Sequence, residues 1–82
     1  MKSFVEFVVK GLVDNPDQVS VEEVADDDGG SILELTVAPN DMGRIIGKSG
    51  RVINAVRSLL QVAATKQGQQ VSLELIETGE SR

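Results

Sequence analysis

The residues best equipped for chemistry lie between positions 44 and 53, where Arg44-Ile45-Ile46-Gly47-Lys48-Ser49-Gly50-Arg51-Val52-Ile53 sets two glycines three apart among cations. Glycines at that spacing between two helical stretches make a turn tight enough for the second helix to start at once. The first amides of that helix, from Gly50 to Ile53, are then expected to lack intrahelical partners and to point toward the loop. With Lys48, Arg51 and Arg44 beside them the arrangement is that of a phosphate site, because free amides, the helix dipole and full charges all attract an anion. The absent Cβ atoms of Gly47 and Gly50 also let a sugar-phosphate backbone approach closely.

Other chemistries fail on spacing or on residue type. The run from Gly43 to Ser49 approaches a nucleotide-binding P-loop, but only three residues separate its glycines where that loop needs four, and helix precedes it instead of strand. Asp26-Asp27-Asp28-Gly29 is out of register for a calcium loop and reads as a solvated hairpin tip. Glu22 and Glu23 fall on opposite faces of a strand and cannot act as a carboxylate pair. The sequence contains no cysteine and no histidine, which removes disulfides and the usual zinc ligands. No nucleophile-base constellation is present, so the expectation is a non-enzyme with no metal and no cofactor.

Six elements must position the loop. Residues 3–14 carry Phe4, Val5, Phe7, Val8, Val9, Leu12 and Val13 at helical spacing, with Ser3 as an N-cap and Asn15-Pro16 as the stop. Phe4 and Phe7 are expected in the core. Residues 18–25 alternate through Val19 and Val21 as a strand, with a bulge allowed near Val24. A glycine-bearing turn over 26–30 leads into a second strand, 31–38, so the two form a hairpin. Asn40 or Asp41 can cap a helical turn over 42–46. Residues 51–67 form the long helix, with Val52, Ile53, Val56, Leu59, Leu60, Ala63 and Ala64 on one arc, and Gly68 ends it. Residues 70–77 alternate as a third strand.

The order is therefore α-β-β-α-α-β. Eighty-two residues suffice for one domain, over 1–78, followed by a polar tail at 79–82. Glu6 and Lys10 interrupt the N-terminal apolar run, which is wrong for a secretory segment, and no apolar stretch is long enough for a membrane span. A cytoplasmic protein is expected.

The net charge of −5 would ordinarily disfavour a polyanionic partner. Its distribution reverses that inference. Between Met42 and Lys66 lie Arg44, Lys48, Arg51, Arg57 and Lys66 and no acid, so this stretch carries +5, while all 13 acidic residues fall elsewhere. Arg57 and Lys66 read as solvated surface on a charged helix face.

Two aliphatics, Gly-x-x-Gly, two further residues and an isoleucine, as in Ile45 to Ile53, resemble the signature of the KH RNA-binding domain. The element order resembles its type II form, and the resemblance spans the chain. It implies an α+β type II KH fold, with three helices packed on one face of a three-stranded mixed sheet. It further implies that the loop clamps a short run of single-stranded RNA backbone, with Gly47, Lys48, Ser49 and Gly50 as the clamp. Ile45, Ile46 and Ile53 match the aliphatic positions that line the groove or adjoin the core, and bases would lie between the helical pair and a sheet edge. Arg44 and Arg51 are added as contacts from charge and position. With no tyrosine or tryptophan, aromatic stacking of bases is not the expected mode. The resemblance also implies a homodimer, a second KH-type partner protein, weak sequence selectivity and RNA chaperoning, in a complex linked to cell elongation or division. The competing expectation is a protein-interaction module in which RNA binding is incidental, hinted at by Ala55 and Val62 on the polar side of the long helix.

Overall fold

The computed structural model describes residues 1–76. The expected polar tail, 79–82, and the last residue of the expected third strand, Glu77, lie outside the described residues. Six elements follow in the expected order: α1 (Lys2–Lys10), β1 (Ser20–Ala25), β2 (Ser31–Thr36), α2 (Met42–Ile46), α3 (Arg51–Lys66) and β3 (Val71–Leu75). Single 3-10 turns precede β1 at Pro16–Gln18, precede α2 at Pro39–Asp41 and join α2 to α3 at Lys48–Gly50.

The sheet order is β1-β2-β3, antiparallel between β1 and β2 and parallel between β2 and β3. Alternation along each strand sends Val21, Leu33, Leu35, Val71 and Leu73 to one face, where all are buried with Val5 and Val9 of α1, Ile45 of α2, and Ile53, Val56, Leu60 and Ala64 of α3. This is the expected arrangement of three helices on one face of a mixed sheet. The parallel pair requires a crossover. α2, the loop and α3 are that crossover, so the glycine loop hangs at one end of the sheet.

Three expectations are corrected. The first helix starts at Lys2 without a side-chain cap from Ser3 and ends at Lys10, because the Gly11 amide donates to both the Phe7 and Val8 carbonyls at 3.3 and 3.2 Å and tightens the last turn. Phe7 is 80% exposed, since at 100° per residue it falls opposite the buried pair Val5 and Val9; Phe4 is half-buried against the core. β1 runs in unbroken register, with Val24 opposite Ile32 and no bulge, and Val24 faces solvent.

On the uncovered face, Glu22 lies opposite Glu34, and Glu34 opposite Glu74, so one carboxylate per strand lines up across the sheet. Like charges directly opposite destabilise a sheet. Replacing the central member, Glu34→Gln, is expected to stabilise the domain by roughly 0.2–1 kcal/mol. The gain should shrink at high salt, and urea unfolding at low and high salt measures both.

Candidate nucleic-acid interface

α2 ends and α3 begins within a turn of four residues. Gly47 sits at φ 75°, ψ 177° and Gly50 at φ 76°, ψ 14°, both conformations that side-chain-bearing residues avoid. At Gly47 the reason is also steric. A Cβ there would stand 2.8 Å from the Val52 amide nitrogen and 2.5 Å from Val52 Cγ2. At Gly50 the nearest atom to such a Cβ is Asn54 Nδ2 at 3.5 Å, an ordinary contact. Ser49 also lies in the left-handed region, at φ 57°, unusual for a non-glycine residue.

The loop's own carbonyls consume some of the amides expected to be free. Gly50 N–H donates to the Gly47 carbonyl at 3.2 Å, and Arg51 N–H to the Lys48 carbonyl. The Lys48 and Ser49 amides open this turn, at the positions that a helical turn leaves without internal partners. The side chains of Lys48, Ser49 and Arg51 are exposed around them. Glycine surface and two cations thus meet at the mouth of the loop.

The remaining candidates are dispersed. Arg44 is exposed on α2 but its Nη2 lies 3.3 Å from Asp14 Oδ2, so a phosphate would compete with that pair. Ile46 is half-buried, while Ile45 is fully buried and Ile53 only 6% exposed, which places the last two in the core.

Three residues take roles that their types and spacing did not disclose. Asp41, at the N-cap position of α2, makes no capping hydrogen bond. Its buried carboxylate instead accepts from the Asp14 amide at 3.1 Å, the Asn15 amide at 3.0 Å and Asn15 Nδ2 at 3.0 Å, tying the turn after α1 to the start of α2. Burial opposes its ionisation, but these hydrogen bonds and the nearby Arg44 charge outweigh that penalty and hold its pKa below the usual carboxylate value. Arg57, read as solvated surface, donates from Nε to the Leu73 carbonyl at 3.2 Å. Gln61, one helical turn on, donates to the Val71 carbonyl at 3.3 Å. The available signal was the spacing of four between two long polar side chains on a helix expected beside a strand.

Two cavities of ≈ 410 Å³ each lie at the hairpin tip and the α3–β3 turn, lined with Glu23 in one and Asp26 and Asp28 in the other. Those charges have the wrong sign for a phosphate. Among the described residues no group of three or more acidic side chains could hold a metal, and no helix is long and apolar enough to cross a membrane.

Comparison with known proteins gives a consistent result. The sequence model described as KhpA/KhpB, KH domain, matches residues 2–75. A relative from Halalkalibacterium halodurans is 50% identical over 78 residues, covering 94% of this chain and 100% of the relative. One from Clostridium acetobutylicum is 47% identical over 76 residues, covering 93% and 100%, and one from Chlamydia trachomatis is 48% identical over 77 residues, covering 94% and 97%. Each of the three carries the name RNA-binding protein KhpA. No solved structure matches the chain.

Proposed function

This chain belongs to the KhpA/KhpB KH-domain family, and from that premise we propose that it binds single-stranded RNA in the cytoplasm by clamping the backbone in the loop from Gly47 to Gly50. The observation that carries the reading is the loop itself. Two glycines held at positive φ bracket Lys48 and Ser49 and expose bare backbone beside Lys48 and Arg51, at the head of a 16-residue helix. Phosphates are met by the Lys48 and Ser49 amides and by the Lys48 and Arg51 charges. Arg44 joins them only by leaving Asp14.

Few phosphates are within reach, so log K should fall with log salt at a slope of about 0.7 per neutralised phosphate, a shallow dependence overall. Base selectivity is weak, consistent with a chaperone-like role, and the reading requires no catalytic group. Affinity of a single module is raised by pairing. Leu59 and Val62, 55% and 66% exposed on α3, are the apolar surface on which we place a second copy or a KhpB-type partner. That surface also serves the alternative reading, a protein-interaction module with incidental RNA binding.

The test is the double change Lys48→Asp with Ser49→Asp. Aspartate tolerates the left-handed conformation at position 49, so the fold should survive while two carboxylates replace a cation and a hydroxyl. RNA retention in a filter assay is expected to fall by at least tenfold, with an unchanged thermal midpoint. Retention equal to that of the parent protein would refute the clamp. Loss of partner capture, with RNA retention intact, on Val62→Asp would favour the interaction reading.

A further inference from the structure

β3 is an edge strand, and its parallel pairing decides which of its backbone groups are free. Ser31 N–H donates to the Gln70 carbonyl and Ile76 N–H to the Leu35 carbonyl, so the even-numbered positions turn their polar groups toward β2. The odd-numbered ones, Val71, Leu73 and Leu75, turn theirs outward. An exposed edge of this kind invites pairing with another chain. Here α3 covers part of it with Gln61 on the Val71 carbonyl and Arg57 on the Leu73 carbonyl.

Arg57 does more than cover a carbonyl. Its Nε is fixed on Leu73, and its Nη1 donates to Asn54 Oδ1 at 3.4 Å. A guanidinium carries five donors in one plane. Anchored at two points, it leaves its remaining N–H groups with no partner among the described residues, and they border a cavity of ≈ 220 Å³ lined also by Ile32, Ser72, Leu73 and Glu74. The cavity lies beside the outer edge of β3, on the face that the helices leave uncovered, where alternation puts Ile32, Ser72 and Glu74. Its Arg57 lies seven residues along α3 from Gly50, roughly 10 Å along the helix axis at 1.5 Å per residue, a distance that a strand held in the loop can span.

The lining argues against a phosphate in that cavity. Glu74 shares it with Arg57, and Glu34 lies opposite Glu74 in the sheet, so an anion entering would meet carboxylates as well as the cation. A neutral base edge meets no such opposition. A planar pair of arginine N–H groups is matched by two adjacent acceptors, as guanine offers with O6 and N7 and cytosine with O2 and N3. Adenine and uracil alternate donor and acceptor along their edges and do not match. Ile32 supplies an apolar wall for the ring.

We infer that Arg57, braced on the edge of β3 by Leu73 and Asn54, reads one base of the bound RNA and favours guanine or cytosine over adenine or uracil at that position. The inference rests on the RNA clamp proposed above. A preference at one position leaves the protein weakly selective, as that reading requires.

The test uses the full chain and short oligouridine strands carrying one guanine, cytosine or adenine at each position in turn, with affinity read by fluorescence anisotropy. The parent protein should favour guanine or cytosine over adenine and uracil by on the order of tenfold at one position; the two arms tell which of the pair is preferred. Arg57→Lys keeps a charge and one donor for Leu73 but no planar pair. It should therefore bind plain oligouridine within about threefold of the parent, melt near the parent, and lose the preference. Arg57→Gln should lose it as well. Equal weakening on every strand in Arg57→Gln, restored by Arg57→Lys, would make Arg57 a phosphate contact and overturn the inference while leaving the clamp intact. A parent protein with no positional preference overturns it too, whereas failure to bind any strand refutes the clamp itself.

Discussion

Replacing Gly47 with alanine is expected to destabilise the domain by about 3 kcal/mol, the sum of a backbone conformation that only glycine adopts comfortably and a steric collision that nothing flexible can relieve. At φ 75°, ψ 177° an added Cβ meets the Val52 amide nitrogen at 2.8 Å and Val52 Cγ2 at 2.5 Å. The nitrogen belongs to the first turn of α3 and cannot swing away, so relief requires α2 and α3 to separate. In a domain of this size, each 1 kcal/mol lowers the melting temperature by roughly 4–8 °C, which gives a drop of roughly 12–24 °C. Gly50→Ala is the internal control. Its Cβ meets only Asn54 Nδ2 at 3.5 Å, so its cost is that of the left-handed backbone, about 1 kcal/mol. Thermal and urea unfolding of the two variants measures the difference. Equal costs would show that α3 does not pack against the loop as described. RNA affinity, measured below the melting temperature of each variant, should fall further for Gly47→Ala, because separating α2 from α3 disperses Lys48 and Arg51.

The contrast between these two glycines marks what could be read from the residues alone. Their spacing, and the helical periodicity on either side, disclosed a tight helix-loop-helix with cations around it, and the strand alternation of Leu33 and Leu35 gave the buried face. Periodicity does not give rotation about an axis when the stripe is broad. Seven apolar residues spread through residues 3–14 put Phe7 in the expected core, and only packing of Val5 and Val9 turned it to solvent. Nor does a type of residue disclose its partner. Asp41 had the composition of a cap and became a buried tether for Asp14 and Asn15. Arg57 had the look of a solvated charge and became a brace on β3, because the parallel pairing that exposes the Leu73 carbonyl is a tertiary fact. The geometry of the candidate phosphate site was legible where it depends on the local chain. It was not where Arg44 can choose between a ligand and Asp14 thirty positions away.

Asp41→Ala is expected to fall between Gly50→Ala and Gly47→Ala in its cost, and its signature is in the pH dependence. The carboxylate receives three hydrogen bonds, from the amides of Asp14 and Asn15 and from the Asn15 side chain, with no exposed surface of its own. Truncation strands those donors against an apolar core. The folded-state pKa is lowered, since the hydrogen bonds and Arg44 outweigh desolvation, so the native state holds the proton less tightly than the unfolded chain does. The stability supplied by the ionised carboxylate is therefore complete above the ordinary carboxylate pKa of about 3.9, and is lost as pH falls through the lowered folded value. Urea midpoints of the parent and of Asp41→Ala should accordingly differ by a constant amount from neutrality down to the ordinary carboxylate range, then converge in stronger acid. Asp41→Asn should lie between them near neutrality, since one oxygen can still serve the two Asn15 donors while the amide nitrogen confronts the Asp14 N–H. A gap between parent and Asp41→Ala that stays constant into strong acid would mean that the ionised carboxylate is not what holds the turn. The consequence reaches the loop, because α2 carries Ile45 into the core and ends at Gly47. Releasing the start of α2 loosens one of the two helices between which the proposed RNA clamp is stretched, so RNA affinity of Asp41→Ala should fall even where the protein remains folded.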